Sequence, residues 1–249
     1  MWQNILPIEF LIVRKDYLEK SLASLPVVKS GRRGSCEVYR LYEDDKNSYR
    51  EVSKSSARGQ KLGDLCERRS RLEASLKHVR AMLKQCGRSS SQSKYKILQL
   101  PGRLDSNFFD NLEDSSCQLQ KKTEYYFDGR YFRSRAEMFF ATFLRELGLE
   151  YKYDVTVAVN NRLVTYDFAI VFREYNRCVL FEYYGKCQDP WYVQKNMDKM
   201  ENNYQSGIYL GRDVFVSSGD ENYMPGSDLI RIMLAGIIAL VTKEHVVAI

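Results

Sequence analysis

The sequence predicts an α/β fold in which a mixed sheet is flanked by helices, and three observations predict it. A helical pattern over 134–147 is followed by three apolar runs, 150–158, 163–172 and 177–184, separated by short polar turns. The last two runs are apolar on both faces, the pattern of interior strands covered by helices. A helix, a strand and a helix then complete the order αβββαβα. This core domain, 124–249, follows an N-terminal helical and hairpin accessory region, 1–100, and a connecting segment, 101–123.

In chain order, residues 6–24 read as a short helix with Leu11, Val13 and Leu18 inside. Residues 36–42 and 48–52 read as two strands about a polar turn at 43–47. From 57 to 85, Leu62, Leu65, Cys66, Leu72, Leu76, Val79 and Leu83 recur at steps of three and four, which makes a long amphipathic helix. Its other face is dense with Lys and Arg, and is either a solvated face or one that meets nucleic acid. Residues 89–93 are Ser-rich and mark a loop. From residue 95 a short strand, a turn at Pro101 and Gly102 and a short helix over 106–113 are expected. Asp128 and Gly129 form a two-residue hairpin turn. Ser134 starts the next helix and Gly148 ends it. Asn160 and Asn161 turn the chain between the first two core strands, and 173–176 between the next two. Pro190 opens a helix at the position where its missing N–H costs nothing, and that helix runs to Tyr204. Strand 207–216 and helix 227–242 finish the chain.

Composition narrows the function classes. No stretch approaches 18 uncharged apolar residues, so no membrane span is expected. The apolar start is interrupted by Glu9 with no basic region before it, which argues against a secretory signal. Cys36, Cys66, Cys86, Cys117, Cys178 and Cys187 include no C-x-x-C pair, and His78 and His245 are the only histidines, so zinc-site spacing is absent. Scattered cysteines without a signal point to a reducing compartment and a cytoplasmic location. The net charge of +6 leans towards a polyanionic partner.

Asp167 and Glu182 are the residues most in need of explanation. Each sits in an interior strand, where acids are depleted and rarely buried unless paired. A turn centred between Glu174 and Tyr175 sets 167 opposite 182, with Cβ atoms roughly 5 Å apart. Like charges that close repel in a partly dry site. A divalent cation removes the conflict; so would Arg or Lys side chains that neutralise both acids. Glu137 stands three residues after Ser134, which fits a helix-capping box as well as a site acid. Arg130, Arg133 and Arg135 flank the start of that helix, where they either meet phosphates or are solvated.

Arg133-Ser-Arg-Ala-Glu137, Tyr166-Asp167-Phe168 and Phe181-Glu182-Tyr-Tyr-Gly-Lys186 together resemble the PD-(D/E)XK, or restriction-endonuclease-like, superfamily, in residues and in element order from about 124 to 242. The resemblance implies an endonuclease-type hydrolase that cuts the phosphodiester bonds of nucleic acid, DNA ahead of RNA, with Mg²⁺ or Mn²⁺. Asp167 and Glu182, assisted by Glu137, would bind the metal. Many double-strand cutters of this superfamily act as pairs, so a homodimer is among the assemblies implied. The chain departs from the pattern twice. Tyr166 stands for the usual Pro, and Tyr184 stands where a Lys stabilises developing charge. Lys186, on the same strand face as Glu182, is the expected substitute as catalytic Lys, with Lys195 and Lys199 on the following helix as other candidates. Lys195 and Lys199, with Arg133 and Arg135, are expected to bind nucleic acid. For Lys195 and Lys199 the alternative is a solvated helix face opposite Val193, Met197, Met200 and Tyr204. Two rival functions remain: a catalytically impaired nuclease-fold module that binds nucleic acid, and a protein-interaction factor acting through the helix of 57–85.

Overall fold

Every long periodic run of the sequence is a helix or strand in the computed structural model, a mixed α/β chain with no closed barrel among the described residues. The structure describes residues 5–42, 48–88, 95–100, 104–113, 123–219 and 225–248. The turn expected at 43–47, the loop at 89–93 and the turn at Pro101 and Gly102 lie outside them. No helix among the described residues is long and apolar enough to cross a membrane. The chain forms two units, Leu11–Ser93 on one side and Met1–Phe10 with Lys94–Ile249 on the other.

The unit Leu11–Ser93 contains most of α1 (Ile8–Ala23), the strands β1 (Val28–Arg33), β2 (Cys36–Tyr42) and β3 (Tyr49–Ser53), and α2 (Ala57–Gln85). The three strands make an antiparallel meander in sequence order. β1 escapes sequence reading because only Val28 in it is buried, so no alternation is visible. α2 begins where the Ser56 hydroxyl accepts the Gly59 N–H at 3.0 Å. Gly59 is required there, since a Cβ would lie 2.0 Å from the Ser53 carbonyl oxygen. Leu62, Leu76, Val79, Met82 and Leu83 are its buried apolar residues. Arg58, Lys61, Arg68, Lys77 and Lys84 are exposed. Charge is unevenly divided. Nineteen Lys and Arg against ten Asp and Glu give Leu11–Ser93 a charge of +9. The other nineteen against twenty-two leave −3 on the remainder, which accounts for the +6 of the whole chain.

The second unit holds β4 (Tyr95–Ile97), α3 (Ser106–Asp110), the hairpin β5 (Tyr126–Phe127) and β6 (Arg130–Tyr131), and α4 (Arg135–Glu146). Next come β7 (Glu150–Val159), β8 (Arg162–Phe172), β9 (Arg177–Tyr184), α5 (Pro190–Gln205), β10 (Val214–Ser218), α6 (Ser227–His245) and β11 (Val246–Ala248). The main sheet has the order β10-β9-β8-β7, antiparallel except for the parallel pair β9–β10. The crossover through α5 makes it a mixed sheet. β4, where a short strand is expected, and β11 form a separate antiparallel pair; β11 and the pairing are not announced in the sequence.

Two expectations need correction. The strand expected over 207–216 begins only at Val214, because Asp213 holds a turn before it. Its carboxylate accepts the Tyr209 N–H at 3.0 Å, and its own N–H donates to the Tyr209 carbonyl at 2.8 Å. On α5, Val193, Met197 and Tyr204 do not form the packed face; all three are exposed, Met197 at 61%. Asn203 and Lys199 turn inward instead. The Tyr166 hydroxyl donates to the Asn203 side-chain oxygen at 2.6 Å, so a buried polar contact sets the helix rotation.

An aromatic cluster joins α4 to the sheet. Phe140 stacks on Phe181 at 4.0 Å between centroids and meets Phe168 at 5.1 Å, while Tyr153 lies 5.3 Å from Phe168. The other face of the sheet buries Val155, Val157, Val164, Tyr166, Ala169, Val171, Cys178 and Leu180. Tyr153 and Val155 thus serve opposite clusters despite their even spacing, and so do Tyr166 and Phe168. The pleat slips by one residue in both strands, at Asp154 and Asp167. Asp154 has φ +56°, a left-handed conformation that Asp tolerates better than most residues, and it reverses the side on which the strand presents its residues.

Arg177 has no exposed side-chain surface and pairs with buried Asp213 at 3.1 Å. Its guanidinium also donates to the carbonyls of Leu104 and Cys178, at 3.2 and 2.8 Å. Replacing Arg177 by Ala strands a buried carboxylate, which costs about 3–5 kcal/mol when uncompensated. Arg212 still contacts Asp213, so we predict a destabilisation near 3 kcal/mol in urea unfolding, and recovery of part of it in Arg177→Met/Asp213→Leu.

Candidate active site

The main sheet opens at Asp167. The β7–β8 ladder pairs Tyr153 with Phe168 and Val155 with Tyr166 but omits Asp154 and Asp167. The β8–β9 ladder runs from Phe172↔Arg177 to Phe168↔Phe181 and stops one step before Asp167 and Glu182. That register is the one expected from the turn at 173–176. β9 continues along β10 as far as Tyr184, so β8 and β9 part at the two acids.

The acids replace the missing ladder. The Tyr183 N–H donates to Asp167 Oδ2 at 2.7 Å, and the Asp167 N–H donates to Glu182 Oε2 at 3.1 Å. Each carboxylate therefore braces the backbone of the opposite strand. Asp167 is 6% exposed, and burial together with the charges of Glu182 and Glu137 raises its carboxyl well above the usual range. Burial also raises Glu182, against the pull of Lys199.

Two cations sit on the pair. Arg133 donates to Asp167 Oδ1 at 2.5 Å and reaches Asp154 Oδ1 at 3.1 Å. Lys199 Nζ lies 2.8 Å from Glu182 Oε1, donates to the Thr165 carbonyl, and stands 4.2 Å from the Tyr166 ring centroid. Its side chain is 12% exposed, and burial lowers its pKa, so the solvated-face alternative fails for Lys199. Glu137 takes part in the helix cap and also reaches the cleft. The Ser134 hydroxyl accepts the Glu137 N–H at 3.2 Å, the first half of a capping box. The Glu137 carboxylate returns to the Arg133 N–H at 3.0 Å, one residue short of Ser134, takes the Tyr153 hydroxyl, and lines the same cleft as Asp167 and Glu182.

That cleft has a volume of about 970 Å³. Glu137, Asp167 and Glu182 form its floor, with Arg133 and Lys199 beside them, and the exposed Arg162, Lys186 and Lys195 line its rim. Lys186, expected against Glu182, is a rim residue. Gly185 breaks the strand after Tyr184, and the chain leaves the sheet there. Arg135 lies outside the lining, with its guanidinium 5.1 Å from the Phe139 ring centroid. The Tyr184 hydroxyl, where the resemblance leads one to expect a Lys, is buried without a hydrogen-bond partner among the described residues.

Sequence reading missed Asp154 and Tyr153. The signal was present as an acid inside the strand run Tyr151 to Val159, but a half-exposed strand position needs no special reason for a polar residue. Comparison with family models, with curated proteins and with solved structures returns no match. The site therefore rests on its own chemistry.

Among the described residues no group of three or more Asp, Glu, His and Cys side chains gathers closely enough to hold a metal ion by itself. A Mg²⁺ ion ordinarily takes one or two protein carboxylates, with water and phosphate oxygens filling the rest, so the pair Asp167 and Glu182 fits such an ion in donor number and hardness. The charge balance fits as well. Four acids, Glu137, Asp154, Asp167 and Glu182, lie around only two bases, Arg133 and Lys199.

Both site acids hold protons more tightly folded than unfolded. Their contribution to stability is fully present below the ordinary carboxylate pKa and is lost as pH rises through the raised values. Asp167→Asn removes the part of that dependence that belongs to Asp167. In EDTA, its melting temperature minus that of the unaltered chain should widen as pH rises from about 4 towards 8; a constant difference would show that Asp167 ionises normally.

Proposed function

We propose that this chain is a divalent-metal-dependent nuclease that hydrolyses phosphodiester bonds in nucleic acid, DNA ahead of RNA, on a restriction-endonuclease-like fold. The observation that carries this reading is the pair Asp167 and Glu182. Two acids brace each other's strands where the sheet opens, and with Glu137 and Asp154 the cluster sets four acids around the two bases Arg133 and Lys199. The order α4, β7, β8, β9, α5, β10, α6 supports the fold assignment.

Asp167 and Glu182 would hold the metal, with Glu137 beside them. When bound, the ion supplies Lewis-acid polarisation of the scissile phosphate and acidifies a water molecule. Lys199 takes the part that the Lys of the motif plays, reaching Glu182 from α5 rather than from β9. Its low exposure strengthens its effect on charge that develops in the transition state. Arg133 holds Asp167 in place and offsets part of its charge. Tyr153 and the Arg133 N–H fix one oxygen of Glu137, so that its carboxylate is oriented to accept a hydrogen bond from attacking water. Arg162, Lys186 and Lys195 at the rim meet phosphates on either side of the cut.

The second reading is a nuclease-fold module that binds nucleic acid or a protein partner without cutting. Arg133 and Lys199, already seated on the acids, favour it, as does Tyr184 at the Lys position. The two readings part on metal. For the enzyme, Mg²⁺ or Mn²⁺ raises the melting temperature and supports cleavage; Asp167→Ala and Glu182→Ala each abolish cutting while binding persists. Lys199→Ala should slow cleavage by about 10²–10³, the usual effect of removing one charge-stabilising group, and Lys186→Ala should act mainly on KM. Metal-independent melting and no cutting of any nucleic acid would leave the binding module.

The +9 charge of Leu11–Ser93 supports a second electrostatic contact to the polyanion on that unit. Replacing Arg58, Lys61, Lys77 and Lys84 by Gln should weaken binding and flatten the plot of log K against log salt by up to about 0.9 for each phosphate no longer neutralised, with single-turnover cutting of bound substrate unchanged. An unchanged slope would place the polyanion elsewhere.

A further inference from the structure

The cleft carries two large apolar side chains that the chemistry at its floor does not use. Trp191, in the first turn of α5, is 71% exposed, and Leu163, near the start of β8, is 79% exposed; both line the cleft that holds Asp167 and Glu182. Neither supports the core. The Trp191 backbone is fixed, since its N–H donates to the Asp189 carboxylate at 2.9 Å, so the indole projects from a rigid helix start rather than a free loop. Lys195, one turn along, stands with its ammonium 5.6 Å from the indole centroid. That cation–π contact holds the ring and places a positive charge next to it. Arg162 and Lys186 add exposed cations to the same rim.

Apolar plates interleaved with cations match one ligand chemistry. A base offers its π face to an aromatic plate while the phosphates on either side meet ammonium and guanidinium groups. In a duplex those faces are stacked on neighbouring base pairs, and only base edges are open to the grooves. An unpaired strand, a loop or an end presents them freely. Resting on the nuclease reading of the same cleft, we propose that its substrate is single-stranded or locally unpaired nucleic acid, with a base stacked on Trp191 and Leu163 packed against the strand. The acids at the floor repel phosphates placed directly on them, so the plates and the rim cations decide where the strand lies.

Trp2 and Trp191 are the only tryptophans in the chain, so the site carries its own reporter. In full-length Trp2→Phe, Trp191 fluorescence is titrated in EDTA with single-stranded DNA and RNA oligomers of on the order of ten nucleotides and with a duplex of the same DNA sequence. The single strands should quench emission saturably. Trp191→Ala should weaken single-strand binding about 5- to 150-fold, with the salt slope unchanged because every phosphate keeps its cation. Trp191→Phe should restore most of the affinity, and duplex binding should change less than single-strand binding. Absence of quenching, or equal weakening for single strand and duplex, overturns the proposal. So does emission that shifts with protein concentration alone, which would mark this face as a contact between copies of the chain. Cleavage with Mg²⁺ or Mn²⁺ is scored separately. Metal-dependent cutting without quenching leaves the nuclease and removes the stacking site; quenching without cutting under any metal does the reverse.

Discussion

Two neighbouring strands of the main sheet part at Asp167 and Glu182, and the rest of the site depends on how that opening is satisfied. Backbone N–H groups taken out of a ladder must find partners or carry a desolvation cost. Here side chains of the opposite strand accept them: Asp167 takes the Tyr183 N–H and Glu182 takes the Asp167 N–H. The opening is stable only with acceptors at both positions, and carboxylates are the acceptors present. Their charge then demands compensation, which draws Arg133 from the start of α4 and Lys199 from α5 to the same point.

The same opening explains the pleat. With Asp154 in a left-handed conformation, β7 and β8 change the side on which they present residues at the same level. Before and after that level the sheet packs aromatic rings under α4 on one face and aliphatic residues on the other. A regular sheet would continue its ladder through Asp167 and close the cleft. The stack of Phe140 on Phe181 also seats α4, and with it Glu137, one turn before Phe140, at the cleft floor.

Charge is organised on two scales. Within the cleft, acids lie at the floor and the exposed bases at the rim, which suits a ligand with anionic groups outside and a cation within. Along the chain, Leu11–Ser93 carries an excess of positive charge and the remainder an excess of negative charge. A single net charge for the chain conceals this division. The small +6 of the sequence is a difference between two larger and opposite parts.

The elements of the main sheet and its helices were legible in the sequence because each is set by local periodicity and turn chemistry: Asn160 and Asn161, residues 173–176, Gly148 and Pro190 mark their ends. The facing of Asp167 and Glu182 was legible too, because a tight hairpin leaves one register in which its apolar residues stay buried. The strand β1, the strand β11 and its pairing with β4 were not, since edge and three-residue strands bury too little to leave a pattern or name a partner. Which Lys reaches Glu182 was decided only in three dimensions. The rotation of α5, fixed by the buried contact of Tyr166 with Asn203, turns Lys199 to the acids, while the chain leaves the sheet after Tyr184 and Lys186 lies at the rim. Sequence by itself determined the elements and the acids, which depend on neighbours along the chain. The tertiary structure decided the counter-ions, because a long side chain bonds to whatever packing brings within its reach.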